Sequence, residues 1–97
     1  MALKPAQKKY LRGLTHHIHP LVTVADKGLT DNVMAEIEQT LDHHELVKIK
    51  LRGEREQRKL WMAEIEQRTG AERVHQIGQV ACYFRRNAKN PVVALPS

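Results

Sequence analysis

The sequence predicts a single compact α/β domain, an N-terminal helix followed by β-α-β-α-β-β, with a mixed four-stranded sheet. Three observations carry this. Two strand-like runs, Leu21-Val22-Thr23-Val24 and the alternating Leu46 to Arg52, are each followed by a stretch of helical period. Two further runs, Glu72 to Ile77 and Val80 to Arg85, flank Gly78-Gln79, a pair suited to a two-residue type II′ hairpin. Finally, 97 residues of which 41% are hydrophobic suffice for one modest core and no more.

The first helix is expected over residues 5–15, with Pro5 in its first turn, where a missing N–H costs nothing. Ala6, Tyr10, Leu11 and Leu14 gather on one side, and Lys4, Lys8, Lys9 and Arg12 on the other. After the first strand and the loop Ala25 to Leu29, Thr30 is a good N-cap, with Asp31 favourably placed in the first turn. The second helix runs to about His43, burying Val33, Met34, Ile37 and Leu41. Its other face (Asn32, Glu36, Glu38, Gln39, Asp42) is acidic or polar.

In the strand from Leu46 to Arg52, Val47, Ile49 and Leu51 point one way and Lys48, Lys50 and Arg52 the other. Gly53 breaks it. Residues 54–69 form a third helix with Leu60, Trp61, Met62 and Ile65 inward, and Gly70 sits where a C′ glycine belongs. Val80, Cys82 and Phe84 share a strand face, so Cys82 reads as a small core residue. The tail, 87–97, contains Val92 to Leu95, a candidate edge strand beside a core spanning about 3–86. Helices between strands imply right-handed crossovers, parallel pairing early and a hairpin at the end. If both crossover helices cover one face, the opposite face is open, and the Lys48, Lys50, Arg52 row lies on it.

A single cysteine rules out an intramolecular disulfide, which points to a reducing, cytoplasmic setting. No apolar run approaches the ~20 residues of a membrane span, and the first residues run into lysines, unlike a signal peptide. The net charge of +5 and pI near 9.7 conceal larger opposed blocks. Residues 1–14 carry +4, 26–46 carry −5, 47–59 carry +4, 60–72 carry −2 and 73–97 carry +4.

Catalytic signatures are missing: there is no P-loop, Gly-x-Ser-x-Gly or HExxH spacing, and no catalytic residue or cofactor is assigned. His16-His17-Ile18-His19 and His43-His44 lie at helix ends without an acidic or cysteine ligand near in sequence, so no metal is expected. The loop Ala25-Asp26-Lys27-Gly28 differs in kind. Backbone N–H groups before a helix, a lysine and a permissive glycine make a phosphate cradle, which the cations of the first helix and the second strand could flank.

At this loop and around it the chain resembles the CRM domain family, specifically its small bacterial YhbY-like members. The resemblance covers residues 3–86. It is carried by Leu11-Arg12-Gly13-Leu14, Pro20-Leu21-Val22, Lys27-Gly28-Leu29-Thr30, Glu45-Leu46-Val47-Lys48-Ile49-Lys50, Thr69-Gly70-Ala71, Gln76-Ile77-Gly78 and Tyr83-Phe84-Arg85. It implies an RNA-binding module folded like the C-terminal domain of translation initiation factor three, with a GxxG loop comparable to that of KH domains. It further implies association with the large-subunit ribosomal precursor. Two positions depart from the family pattern. Ala25 replaces the first loop glycine, costing about 1 kcal/mol if φ there is positive and little if it is not. His19 stands before Pro20 where relatives tend to carry Lys.

The expectation is therefore a non-enzymatic RNA-binding protein acting on ribosomal RNA in large-subunit assembly, with ribosomal proteins as further partners and a monomer favoured. Lys4, Lys8, Lys9, Arg12, Ala25, Asp26, Lys27, Gly28, Thr30, Lys48, Lys50 and Arg52 form the expected RNA surface. With only four aromatic residues, backbone and shape recognition is favoured over base stacking. The rival expectation is an adaptor that docks a basic ribosomal protein through Glu36, Glu38, Gln39 and Asp42.

Overall fold

The computed structural model describes residues 2–97. Its elements are α1 (Pro5–Leu14), a 3-10 turn (Thr15–His17), β1 (Pro20–Val24), α2 (Asp31–His44), β2 (Leu46–Leu51), α3 (Arg55–Thr69), β3 (Glu72–Ile77) and β4 (Val80–Phe84). The sheet order is β1-β2-β4-β3, with β1 parallel to β2 and both hairpin strands antiparallel to their neighbours. This is the predicted mixed four-stranded sheet. The radius of gyration, 12.7 Å, matches the ~13 Å of a compact domain this long.

The front face of the sheet presents Val22, Val24, Val47, Ile49, Leu51, Ala81 and Tyr83. Met34, Ile37 and Leu41 of α2 and Trp61, Met62 and Ile65 of α3 close over them. The alternation in the strands and the helical spacing in α2 and α3 meet in one core, as each pattern alone requires. Thr30 caps α2, accepting the Val33 amide at 3.2 Å, and Gly70 ends α3 at φ 72°. Gly78 takes φ 54° in the hairpin, the sign a type II′ turn needs at its first central residue.

The back face departs from expectation. It is half covered: Leu3, Leu11, Leu46, Val74, Cys82 and Phe84 form a second cluster, with Leu14, Ile18, Val93 and Leu95 packed on it. The helix α1 and the tail are what cover it. The tail forms no edge strand, because Val93 and Leu95 lie on this cluster and the Val92 and Val93 amides are taken by a carboxylate. That carboxylate is Glu45, which is 0% exposed. It accepts the amides of Asn87, Val92 and Val93 at 2.6–2.7 Å and pairs with Arg86 at 3.1 Å. Burial alone would raise its pKa, but those three amides and Arg86 outweigh it and hold the carboxyl below its ordinary value.

Tyr10 and Leu60, both expected inward, are 43% and 71% exposed. Each sits about 100° around its helix from a buried neighbour, Leu11 or Trp61. Each helix rests on a single sheet, so only a narrow stripe is covered. The first helix also ends one residue early, β2 stops at Leu51 and β4 at Phe84.

Candidate nucleic-acid interface

Because β1, β2 and β3 point the same way, their C-terminal ends and the start of the hairpin share one end of the sheet. This is where α/β sheets generally present their loops to ligands. The Arg52 amide donates to the Val24 carbonyl at 2.7 Å and the Leu51 amide to Gln79 at 2.6 Å, stitching the three connections side by side.

The loop after β1 is a tight turn, with the Gly28 amide donating to the Ala25 carbonyl at 2.7 Å. Gly28 adopts φ 72°, and a Cβ there would stand 3.3 Å from Trp61 Nε1. Trp61 also lies against Gly53 in the loop after β2, where a Cβ would meet the indole ring at 2.8 Å. One buried indole thus supports both loops, and glycine is favoured at position 53 by close approach and at position 28 by its positive φ. Arg58 holds the second loop by donating to the Gly53 carbonyl at 2.7 Å. Between the loops opens a groove of ≈690 Å³ lined by Ala25, Asp26, Arg52, Gly53, Glu54, Gln57 and Gln79. A smaller groove of ≈160 Å³ along α3 and β3 carries Arg55, Arg58, Lys59 and Arg73.

Ion pairing sorts the charges. Among the described residues six of the 16 cations and seven of the 11 acids are paired, leaving ten cations against four acids without an ion partner. Lys27, Lys50, Arg52, Arg55 and Arg58 are among those ten, and all lie at or lead to the loop end of the sheet. The unpaired acids Asp26 and Glu54 stand beside Arg52 in the larger groove, so its floor is mixed and the cation excess lies on its rim and along α3.

The CRS1 / YhbY (CRM) domain family model matches residues 3–85. A protein of Haemophilus influenzae named RNA-binding protein is 43% identical over 84 residues, 86% of this chain and 85% of its own length. The chain belongs to the CRS1/YhbY (CRM) family. A protein of Pseudomonas aeruginosa named as a probable RNA-binding protein is 40% identical over 90 residues, covering 92% of this chain and 86% of the relative. The solution structure of a Staphylococcus aureus protein superposes with a TM-score of 0.82 at 29% identity, covering 98% of this chain and 100% of that one.

Within this CRM domain the loop departure at Ala25 is conformationally neutral, since Ala25 does not take a positive φ; among the described non-glycine residues only Glu45 does. The demanding loop position is Gly28, which is kept. Ala25, Asp26 and Lys27 are exposed, and Thr30 is half-buried by its capping role. Lys48, Lys50 and Arg52 lie along β2, Lys48 half-buried and the other two exposed.

The α1 cations are not brought to the loop. Glu72, at the start of β3, accepts the Leu3 amide at 3.1 Å and pairs with Lys8 at 3.2 Å, while Arg12 Nε donates to Val74 at 3.4 Å. The helix therefore begins at the opposite end of the sheet, placing Lys4, Lys8 and Lys9 there. Glu72 also supplies the negative charge that the first turn of α1 lacks.

Arg55, Arg58, Lys59 and Arg73 escaped the sequence reading as site residues. For Arg55, Arg58 and Lys59 the signal in the sequence is the +4 block over 47–59; Arg73, fourteen residues further on, is joined to them only by the fold. Of the acidic helix face, Glu38 and Asp42 are both taken by Arg85, at 2.8 and 2.9 Å, leaving Glu36 as the unpaired carboxylate. His43 Nδ1 donates to the Gln39 carbonyl at 2.9 Å. Among the described residues no three His, Cys, Asp or Glu side chains converge on a metal position. No helix among them is long and apolar enough to cross a membrane.

Proposed function

We propose that this chain is a non-enzymatic RNA-binding protein that grips the RNA backbone at the loop end of its sheet. The observation that carries this is the set of unpaired cations there (Lys27, Lys50, Arg52 and Arg55) around a turn that exposes backbone between Ala25 and Gly28. The names of its CRM relatives support the ligand class. Backbone recognition follows from the aromatics: Trp61, Tyr83 and Phe84 are buried and unavailable for stacking. Cys82 is buried with its thiol pKa pushed up by burial, which suits a core residue of a cytoplasmic protein and no nucleophile. The ribosomal assignment, to the large-subunit precursor and its assembly, rests on the YhbY-like resemblance of the chain.

The test is salt-dependent binding to single-stranded RNA. With about five phosphates neutralised, log K falls with log salt at a slope near −3.5. Lys27→Glu weakens binding to all sequences alike and makes that slope shallower by roughly 0.7 or more. Affinity that stays constant between about 50 and 200 mM salt sinks the proposal. Crosslinking in cells, followed by mapping of the bound RNA, decides the ribosomal part, and recovery of no ribosomal precursor removes it.

A further inference from the structure

On the back face, beyond the half covered by α1 and the tail, the 3-10 turn overhangs a cavity of ≈220 Å³. Thr15, His16, Lys48, His75, Val80 and Cys82 line it, and no carboxylate does. At about 30 Å³ per water it holds a phosphate group and several waters. Four cationic or titratable groups from four elements surround it: Arg12 of α1, which lines the adjoining hollow with His75, His16 of the turn, Lys48 of β2 and His75 of β3. The carboxylate of Glu72 is already engaged by Lys8 and the Leu3 amide.

His75 is the unusual member. Its Nε2 is buried and has no hydrogen-bond partner among the described residues. A buried polar atom left open costs stability, and a water or a bound anion is one way such an atom is completed. Burial first, then Arg12, His16 and Lys48, push the His75 pKa below its ordinary value. The positive charges of Arg12 and Lys48 that disfavour a further proton on the ring attract an anion. The remaining titratable group facing it, Cys82, is held as a neutral thiol by burial.

We propose that this cavity is a second phosphate subsite, which receives a backbone phosphate of the bound RNA between Lys48 and His75. The proposal rests on the RNA-binding reading and extends it to a path. From Lys48 the next back-face residue of β2 is Lys50, about 7 Å along the strand. Arg52 follows at the strand end, where the groove beside Ala25 and Asp26 begins. A strand of RNA laid along β2 thus meets a cation at each step from the cavity to the loop. Exposed Leu21 of the adjacent β1 and Ile77 of β3, itself at the cavity (53% and 64%), provide aliphatic surface. An oxyanion on Nε2 favours the protonated imidazole, so binding draws a proton onto His75 and tightens as pH falls.

The test uses the full chain with two probes, a short oligouridylate and inorganic phosphate, read by the histidine side-chain NMR resonances at constant ionic strength. Oligouridylate moves the His75 and His16 resonances saturably and raises the His75 pKa. Inorganic phosphate does the same at least about tenfold more weakly, since the loop raises the effective concentration of an attached phosphate. Lys48→Gln and His75→Gln each weaken oligouridylate binding about tenfold, as loss of a charge-assisted hydrogen bond does. His75→Gln also flattens the tightening between about pH 7.5 and 5.5, a range in which the phosphodiester itself does not titrate.

A His75 resonance unmoved by either probe overturns the subsite, and this readout needs no variant to fold. Movement with inorganic phosphate but not with oligouridylate marks a free-anion site and overturns the RNA assignment of the cavity. Variants with wild-type affinity and wild-type pH dependence overturn it as well. If Lys27→Glu abolishes binding while His75→Gln is silent, the RNA-binding reading stands and the subsite alone is lost. A wild-type chain that binds no oligouridylate at low salt removes both.

Discussion

At the end of the sheet where β2 begins, Arg85 spans Glu38, Asp42 and the Thr69 carbonyl, and Arg86 joins Glu45 to the Val93 carbonyl. At the end where β2 finishes, Lys27, Arg52 and Arg55 form no ion pair among the described residues, and the loops rest on an indole through two glycines. Both ends are built from basic segments of +4 by composition. One uses its arginines to close the chain on itself, and the other leaves them facing water. Net charge per segment therefore overstates the surface potential at the tail and understates it at the loops. The ionic surface that an RNA meets is set by which cations already have partners.

The largest expected effect breaks the tail end. Glu45→Ala leaves Arg86 without its buried partner and three amides unanswered, costing about 3–5 kcal/mol in denaturant unfolding. It also makes residues 87–97 accessible to limited proteolysis, while the surviving folded protein keeps its RNA affinity. Loss of RNA affinity from the folded variant would show that the two ends are coupled. The same carboxylate makes the tail acid-sensitive. Its folded pKa lies below the ordinary value of 4.5, so its contribution is complete above the unfolded pKa. That contribution is lost as pH falls through the lower, folded pKa, and an acid titration of stability on wild type and Glu45→Gln shows the difference.

At the loop end the effects are smaller and fall on binding as well as stability. Gly53→Ala drives a methyl into the Trp61 ring at 2.8 Å and costs about 1–3 kcal/mol by overpacking. Gly28→Ala meets Trp61 Nε1 at 3.3 Å in a left-handed conformation and costs about 1 kcal/mol. Both should weaken RNA binding beyond their effect on stability, because each shifts a loop against its neighbour. Equal RNA affinity in folded Gly28→Ala would place the interface elsewhere. Smallest is Lys8→Ala, which removes a part-exposed pair with Glu72 and should change stability by less than about 1 kcal/mol. A larger loss there would show that α1 depends on that bridge.

Much of this was legible in local patterns. The alternation of Val47, Ile49 and Leu51, the Thr30 cap, the Gly70 terminator and the Gly78 turn are decided by backbone geometry within a few residues, and the structure repeats them. The Lys27-Gly28 turn was legible for the same reason. Glu45 was not. In sequence it is one more acid in the −5 block, and only the return of the tail, more than forty residues later, makes it a buried hub. Its φ of 61° is a mark of that constraint, a strained backbone kept in place by what the side chain holds.

By itself, then, the amino-acid order determined the elements, the faces of the strands and the family, because periodicity, caps and turn residues act over short range. Tertiary structure alone decided which charges are free. Whether Lys27 meets an acid, whether Arg85 and Arg86 are spent, and whether His75 lines a cavity depend on residues distant in the chain. A charge is screened or paired by whatever folds within a few ångströms of it, and sequence distance carries no such information.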